Sequence, residues 1–389
     1  MKRGHVVLLL LSSVLSLTVS IAVDRSLGYL SEGRDLIFQR FSRVSYDTPE
    51  FKVESHINNL GFRDRDFRVK KARRFRVMAI GDSFTYGWGV PAEDSWPKIL
   101  ERRLLAKGYD VEVANLGGPG ASPADYAKIA LKAIPLLKPD LVIVGLLQGD
   151  DLAQSIYSEV GTVERLKRVV RWLYPHLLEV ARRSPSNDAV DLSLVWKDQA
   201  REILVGFNPD EKARFGRIDS DIQALFVAGR LNPALVDLAV RFPDYFREPL
   251  EVQSPGVRRG IAALSSELRR IRKASERAHA HVIVVSVPLG VYTSARKLET
   301  YRQMGFFVET GMLNTTRMDE AGRNASFRAG LDFYEITNQF REAAGGRDLF
   351  FTIDGHFNPA GCQLFAEGIE RFVTAELDGL GGSATRNRR

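Results

Sequence analysis

Ser83 stands where a sequence can turn an alcohol into a reagent. The apolar run Phe75-Arg76-Val77-Met78-Ala79-Ile80 breaks at Gly81-Asp82-Ser83-Phe84-Thr85-Tyr86-Gly87, and helical spacing resumes at Trp96, Ile99, Leu100 and Leu104. Strand, serine turn and helix in that order bring a hydroxyl to the carboxyl edge of a sheet, where open α/β sheets bind ligands. The serine's own N–H then points into the site. A serine in a turn also serves as an ordinary helix cap, so its partners decide. The hydroxyl is a weak nucleophile until an imidazole takes its proton and a carboxylate fixes the imidazole's tautomer. Of the six histidines, His5 falls in the leader, His56 in an N-terminal extension, His176 in a helical stretch, and His279 and His281 at the entry of a strand. His356 alone sits in a turn rich in Gly, Asn and Pro beside an acid, Asp354-Gly355-His356-Phe357-Asn358-Pro359, just ahead of a helix.

These residues resemble the SGNH (GDSL) hydrolases. The serine block matches as Ile80-Gly81-Asp82-Ser83-Phe84-Thr85-Tyr86-Gly87-Trp88-Gly89-Val90, and the second as Asn115-Leu116-Gly117-Gly118-Pro119-Gly120-Ala121-Ser122. The third matches as Gln148-Gly149-Asp150-Asp151, and the last as Asp354-Gly355-His356-Phe357-Asn358. The resemblance implies Ser83 as nucleophile, His356 as base and Asp354 as its orienter. It also implies an oxyanion held by the N–H groups of Ser83 and Gly120, helped by the side chain at position 150. No metal or organic cofactor is implied.

Two departures from the family pattern bear on chemistry. Asp150 stands where the family usually carries asparagine. An asparagine amide donates to a developing oxyanion, whereas an ionised aspartate repels it. Either a raised pKa keeps Asp150 protonated, or the two backbone N–H groups suffice and Asp150 caps the following helix; the capping role is the expectation here. The second departure is spacing. Most of the family place the acid three residues before the histidine, but Ile353 occupies that position and Asp354 lies two before. That Asp-x-His spacing looks like the alginate O-acetyltransferase group and makes acyl transfer an alternative to hydrolysis.

The elements that must position these groups read as an α/β chain, a three-layer sandwich around a central, mostly parallel sheet. Val111 to Asn115, Leu141 to Val144 and Val282 to Val287 read as strands, and Leu141 to Val144 is solidly apolar, as a strand covered on both faces should be. Helical patterns alternate with them, at Tyr126 to Leu137 and at Ile261 to Ala278. Residues 24–75 read as an extension packed on the domain edge, with the segment Asn58-Asn59-Leu60-Gly61-Phe62-Arg63 resembling one found upstream of the serine block in exported members of the family. The hydrolase-like domain is expected over 76–378, interrupted at about 152–255 by a helical insertion. Val163, Leu166, Val169, Val170, Leu173 and Leu177 form one apolar helical face within that insertion. Residues 288–325 read as a long connection returning to the catalytic edge, and 379–389 as a disordered tail.

At 389 residues with 44% hydrophobic content, the chain can bury one large core. A net charge of +7 without an aromatic-interleaved basic motif gives no case for nucleic acid. The basic residues from Arg63 to Arg76 read as solvated surface. One cysteine, Cys362, excludes an intramolecular disulfide and reads as a small buried hydrophobe. Lys2 and Arg3 precede an apolar and hydroxyl stretch from Val6 to Val23. A basic start and a long apolar core signal export. The stretch approaches the ~20 residues that span a bilayer, so an uncleaved anchor is placed ahead of a cleaved signal peptide. The expected substrate is an acyl ester, such as an O-acetylated envelope glycan. A non-catalytic glycan-binding role on the same scaffold is the third reading, motivated by Asp150.

Overall fold

A computed structural model describes residues 35–69, 75–157 and 190–381, with isolated positions at 19, 20, 22 and 26. The apolar runs form strands β3 (Phe75–Gly81), β4 (Val111–Gly117), β5 (Leu141–Leu147) and β7 (His281–Val287), joined by the short β8 (Asp332–Tyr334). Their order is β4-β3-β5-β7-β8, and every pairing is parallel. The first strand is flanked by the second and third, so the sheet is wound in both directions from β3, as in flavodoxin-like folds. Every residue of β5 is buried, because helices cover both faces. The molecule is a three-layer α/β/α sandwich.

The helices follow the sequence patterns. In chain order they are α1 (Ser83–Tyr86), α2 (Trp96–Ala106), α3 (Pro123–Leu137), α4 (Asp150–Tyr157), α5 (Leu192–Gly206), α6 (Pro209–Phe215), α7 (Ser220–Val227), α8 (Pro233–Arg241) and α9 (Pro255–Arg277). They continue with α10 (Gly290–Thr293), α11 (Ala295–Gln303), α12 (Arg317–Ala329), α13 (Thr337–Ala344) and α14 (Pro359–Gly379). Cys362 is buried on α14, as its setting suggested. Residues 288–325 are largely helical rather than a plain connection: α10, α11 and the start of α12 lie there. Their short apolar spacings give little periodic signal.

A second sheet joins β1 (Arg43–Asp47), β2 (Lys52–His56) and β6 (Val190–Asp191) in the order β2-β1-β6. The β1–β2 hairpin belongs to the N-terminal extension, and β6 precedes the insertion helix α5. The apolar face expected between Val163 and Leu177 lies outside the described residues, and so does most of the leader. Among the described residues no helix is long and apolar enough to cross a membrane.

Two ends of the supposed basic surface cluster prove to be interior. Arg63 and Arg76 are each 1% exposed. Arg76 donates to Glu112, 2.8 Å away, and to the Leu137 carbonyl, 2.5 Å away, locking β3 to its neighbours. Arg63 donates to the carbonyls of Tyr86, Gly87 and Val90, at 3.0, 2.8 and 2.6 Å. Burying a guanidinium is costly unless it is hydrogen-bonded, and here carbonyls in the turn after Ser83 take up the two terminal nitrogens, Nη1 and Nη2. The extension therefore shapes the catalytic edge rather than merely covering it.

Candidate active site

Strand β3 ends in register with β4, Gly81 opposite Gly117, and the Gly118 N–H donates to the Gly81 carbonyl at 3.0 Å. Beyond that last pairing the chain turns at once into α1. Asp82 caps the helix, its carboxylate accepting from the Phe84 N–H at 3.0 Å, so Ser83 becomes the first helical residue. The crossing is tight: a β-carbon on Gly117 would lie 2.0 Å from the Tyr86 nitrogen, which only glycine avoids.

From the far end of the chain, the turn before α14 brings His356 over this hydroxyl. Its Nε2 lies 2.7 Å from Ser83 Oγ, and its Nδ1 lies 2.5 Å from Asp354 Oδ1. With Asp354 ionised, Nδ1 carries the ring proton and Nε2 accepts from the serine. Asp354 also accepts from the Trp88 indole N–H at 3.2 Å. Burial alone would raise the Asp354 pKa. The imidazole's charge, its hydrogen bonds and the Trp88 indole outweigh that and hold it below the ordinary carboxylate range. The shorter Asp-x-His spacing therefore still allows the carboxylate to reach the ring. The Phe84 ring packs against the imidazole, with centroids 4.8 Å apart.

Gly120 sits in the glycine-rich turn after β4 with φ +71°, a left-handed conformation that glycine adopts without strain. It is exposed, and among the described residues no group accepts from its N–H or from that of Ser83. Two free N–H groups on one edge are what a developing oxyanion requires.

Asp150 lies at the start of α4, near enough for its charge to act on both Asp82 and His356. The structure corrects the capping expectation. Its carboxylate accepts from the Tyr245 hydroxyl at 2.9 Å and from the Gln154 side-chain amide at 2.6 Å, not from a backbone N–H of the helix. Burial raises its pKa, opposed by those two hydrogen bonds and by the imidazole's charge. Asp82 is pushed up to about 7 by burial and then by Asp150. Asp151, wholly buried, accepts from the Tyr126 hydroxyl and the Leu147 N–H, both at 2.8 Å.

Several groups at the site carry no local sequence signal. Glu50 and Lys297 both touch the turn that carries Asp354, and Tyr245 reaches Asp150 from the insertion. Trp88 is visible in the serine block, but its bond to Asp354 spans 266 positions of chain.

The family model for GDSL-like lipase/acylhydrolase matches residues 77–369. An arylesterase of Vibrio mimicus is 36% identical over 81 residues, which is 20% of this chain and 38% of the relative. Esterase TesA of Pseudomonas aeruginosa is 30% identical over 88 residues, 22% of this chain and 42% of its own length. The chain thus spans less than half the length of these curated relatives. A lipase/acylhydrolase structure from Enterococcus faecalis aligns with 77% of this chain and 96% of its own, at 13% identity and a TM-score of 0.39. Matched from β3 into the last helix, the chain belongs to the GDSL-like lipase/acylhydrolase family of ester hydrolases.

Proposed function

We propose that this chain hydrolyses acyl esters through Ser83, His356 and Asp354, at the cell envelope. Ser83 Oγ attacks the ester carbonyl while His356 Nε2 takes its proton, and Asp354 stabilises the imidazolium that forms. The oxyanion of the tetrahedral intermediate accepts from the Ser83 and Gly120 N–H groups. The imidazolium returns its proton to the departing alcohol, leaving an acyl-serine. Water then attacks that ester with His356 again as base, and Ser83 is freed with the carboxylic acid.

The observation that carries this reading is the hydroxyl–imidazole–carboxylate line, 2.7 Å on one ring nitrogen and 2.5 Å on the other. Esterases among the matched relatives support the reaction class. The location rests on the leader, whose basic start and apolar run signal export. An exported esterase meets O-acetylated glycans, which makes them the proposed substrate class; the apolar stretch provides a membrane tether. The same acyl-serine serves a second reading, transfer to a sugar hydroxyl, favoured by the spacing of Asp354 and His356.

Full-length protein with a chromogenic acetyl ester tests the proposal. Ser83→Ala should lower turnover by at least ~10⁴-fold; hydrolysis by that variant at the wild-type rate contradicts it. Adding an oligosaccharide acceptor separates the two acyl fates. Hydrolysis predicts an unchanged ratio of free acid to alcohol, and transfer predicts that acylated sugar replaces the acid.

A further inference from the structure

We propose that Glu50 and Lys297 are a paired positioning device for the base, one charge on each side of the turn that carries Asp354 and His356. This inference rests on the reading of His356 as the group that deprotonates Ser83.

Glu50 lies in the connection between β1 and β2, in the N-terminal extension. Its own N–H is tied to Thr48 Oγ1 at 3.2 Å, and the Phe51 N–H meets the same oxygen at 3.1 Å, so the short turn is internally braced. From there the Glu50 carboxylate accepts from the Ile353 N–H at 3.1 and 3.0 Å and from the Asp354 N–H at 2.8 Å. Lys297 approaches on α11 and is 2% exposed. Its ammonium donates to the Phe351 carbonyl at 2.9 Å and to the Thr352 carbonyl. Consecutive peptide groups from Phe351 to Asp354 are thus gripped by an anion on their N–H side and a cation on their C=O side. Charge-assisted hydrogen bonds of this kind are about twice as strong as neutral ones. The Phe51 and Phe351 rings, 4.8 Å apart, add an apolar contact beside the grip.

A lysine is costly to bury. Its charge is sustained here by the two carbonyls and by the nearby carboxylates of Glu50, Asp354 and Asp348. Burial pulls the Lys297 pKa down to about 8, so the ammonium holds its charge through neutral pH. A filler residue would satisfy the packing; opposed charges bonded to the backbone beside the base fit a positioning role better.

Charges of opposite sign thus flank the turn that carries the imidazole. The groups facing His356 are Ser83, Asp354, Trp88 and Phe84 in contact, with the carboxyls of Asp82 and Asp150 within electrostatic range. Behind the turn stand Glu50 and Lys297. Removing the Glu50 charge withdraws a group that favours the imidazolium, and removing the Lys297 charge withdraws one that opposes it.

The test compares Glu50→Gln, Lys297→Met and Ser83→Ala in the full-length chain, following kcat, KM and kcat/KM against pH with an acetyl ester. Glu50→Gln should lower kcat ~10-fold with KM within about twofold, as expected for a displaced base rather than a lost binding contact. Its acidic limb of kcat/KM should move to lower pH, and that of Lys297→Met to higher pH. A merely structural role would lower the unfolding temperature without producing opposite displacements. The proposal is overturned if Glu50→Gln keeps the wild-type kcat and pH profile, or if both limbs move the same way. Should Lys297→Met fail to fold, the Glu50→Gln profile decides. An active Ser83→Ala would remove the underlying reading and this inference together, whereas an inactive Ser83→Ala beside an unaltered Glu50→Gln overturns the positioning pair alone.

Discussion

Asp150 is the residue whose chemistry least matches its place. An amide there would add a third donor for the oxyanion. Instead both carboxylate oxygens are occupied, by the Tyr245 hydroxyl and the Gln154 amide. Those donors offset the charge locally, and the proposed mechanism leaves the oxyanion to the Ser83 and Gly120 N–H groups. Asp150→Asn should therefore keep or raise turnover, within a gain of ~10²-fold, the range for one such donor. The substitution removes no helix cap, because the structure shows none to lose. Steady-state kinetics with the acetyl ester check this, and a fall below a tenth of the wild-type rate would mean the carboxylate itself is needed. Ser83, Asp354 and His356 were legible in the sequence because each sits in a compact block with its own turn chemistry. Glu50 was not, since its contact with Asp354 spans 304 positions and a Thr-Pro-Glu turn carries no mark of its partner.

At the scale of elements, the serine turn stores a pH-dependent cost. Asp82 caps α1 with a carboxyl buried beside Asp150 and pushed up to about 7. From the ordinary carboxylate range up to about 7, the folded chain holds a proton that the unfolded chain has released. Stability therefore falls as pH rises through that window. Asp82→Asn keeps an acceptor for the Phe84 N–H and removes the titration. Thermal unfolding of the wild type should fall from pH 5 to pH 8 by about 2 °C more than that of the variant; parallel curves would contradict the assignment. The four long strands were readable as mostly apolar runs, the pattern of strands covered on both faces. Strand β8 was not. Asp332-Phe333-Tyr334 is three residues at a sheet edge, and only its parallel pairing with Ile283 to Val285 defines it.

Across the whole molecule, three remote parts of the chain meet at Trp88. Tyr46 and Phe51 come from the extension, Trp88 from the serine block and Trp196 from the insertion, and together with Tyr86 they form a small apolar cluster apart from the main core. Tyr46 packs edge-on against Trp88 at 4.5 Å, and Trp196 stacks on it at 6.0 Å. This cluster aims the indole N–H at Asp354. The extension therefore reaches the site three times, through Arg63, through the cluster at Trp88 and through Glu50, a convergence that pattern reading of a sequence does not encode. All of it serves one claim, that Ser83 is made nucleophilic by His356. The most direct test is labelling of the native protein with a fluorophosphonate ester, followed by peptide mapping by mass spectrometry. One stoichiometric adduct on the Ser83 hydroxyl is expected, lost in His356→Ala. A label on another residue, or equal labelling of Ser83 without the imidazole, would contradict it.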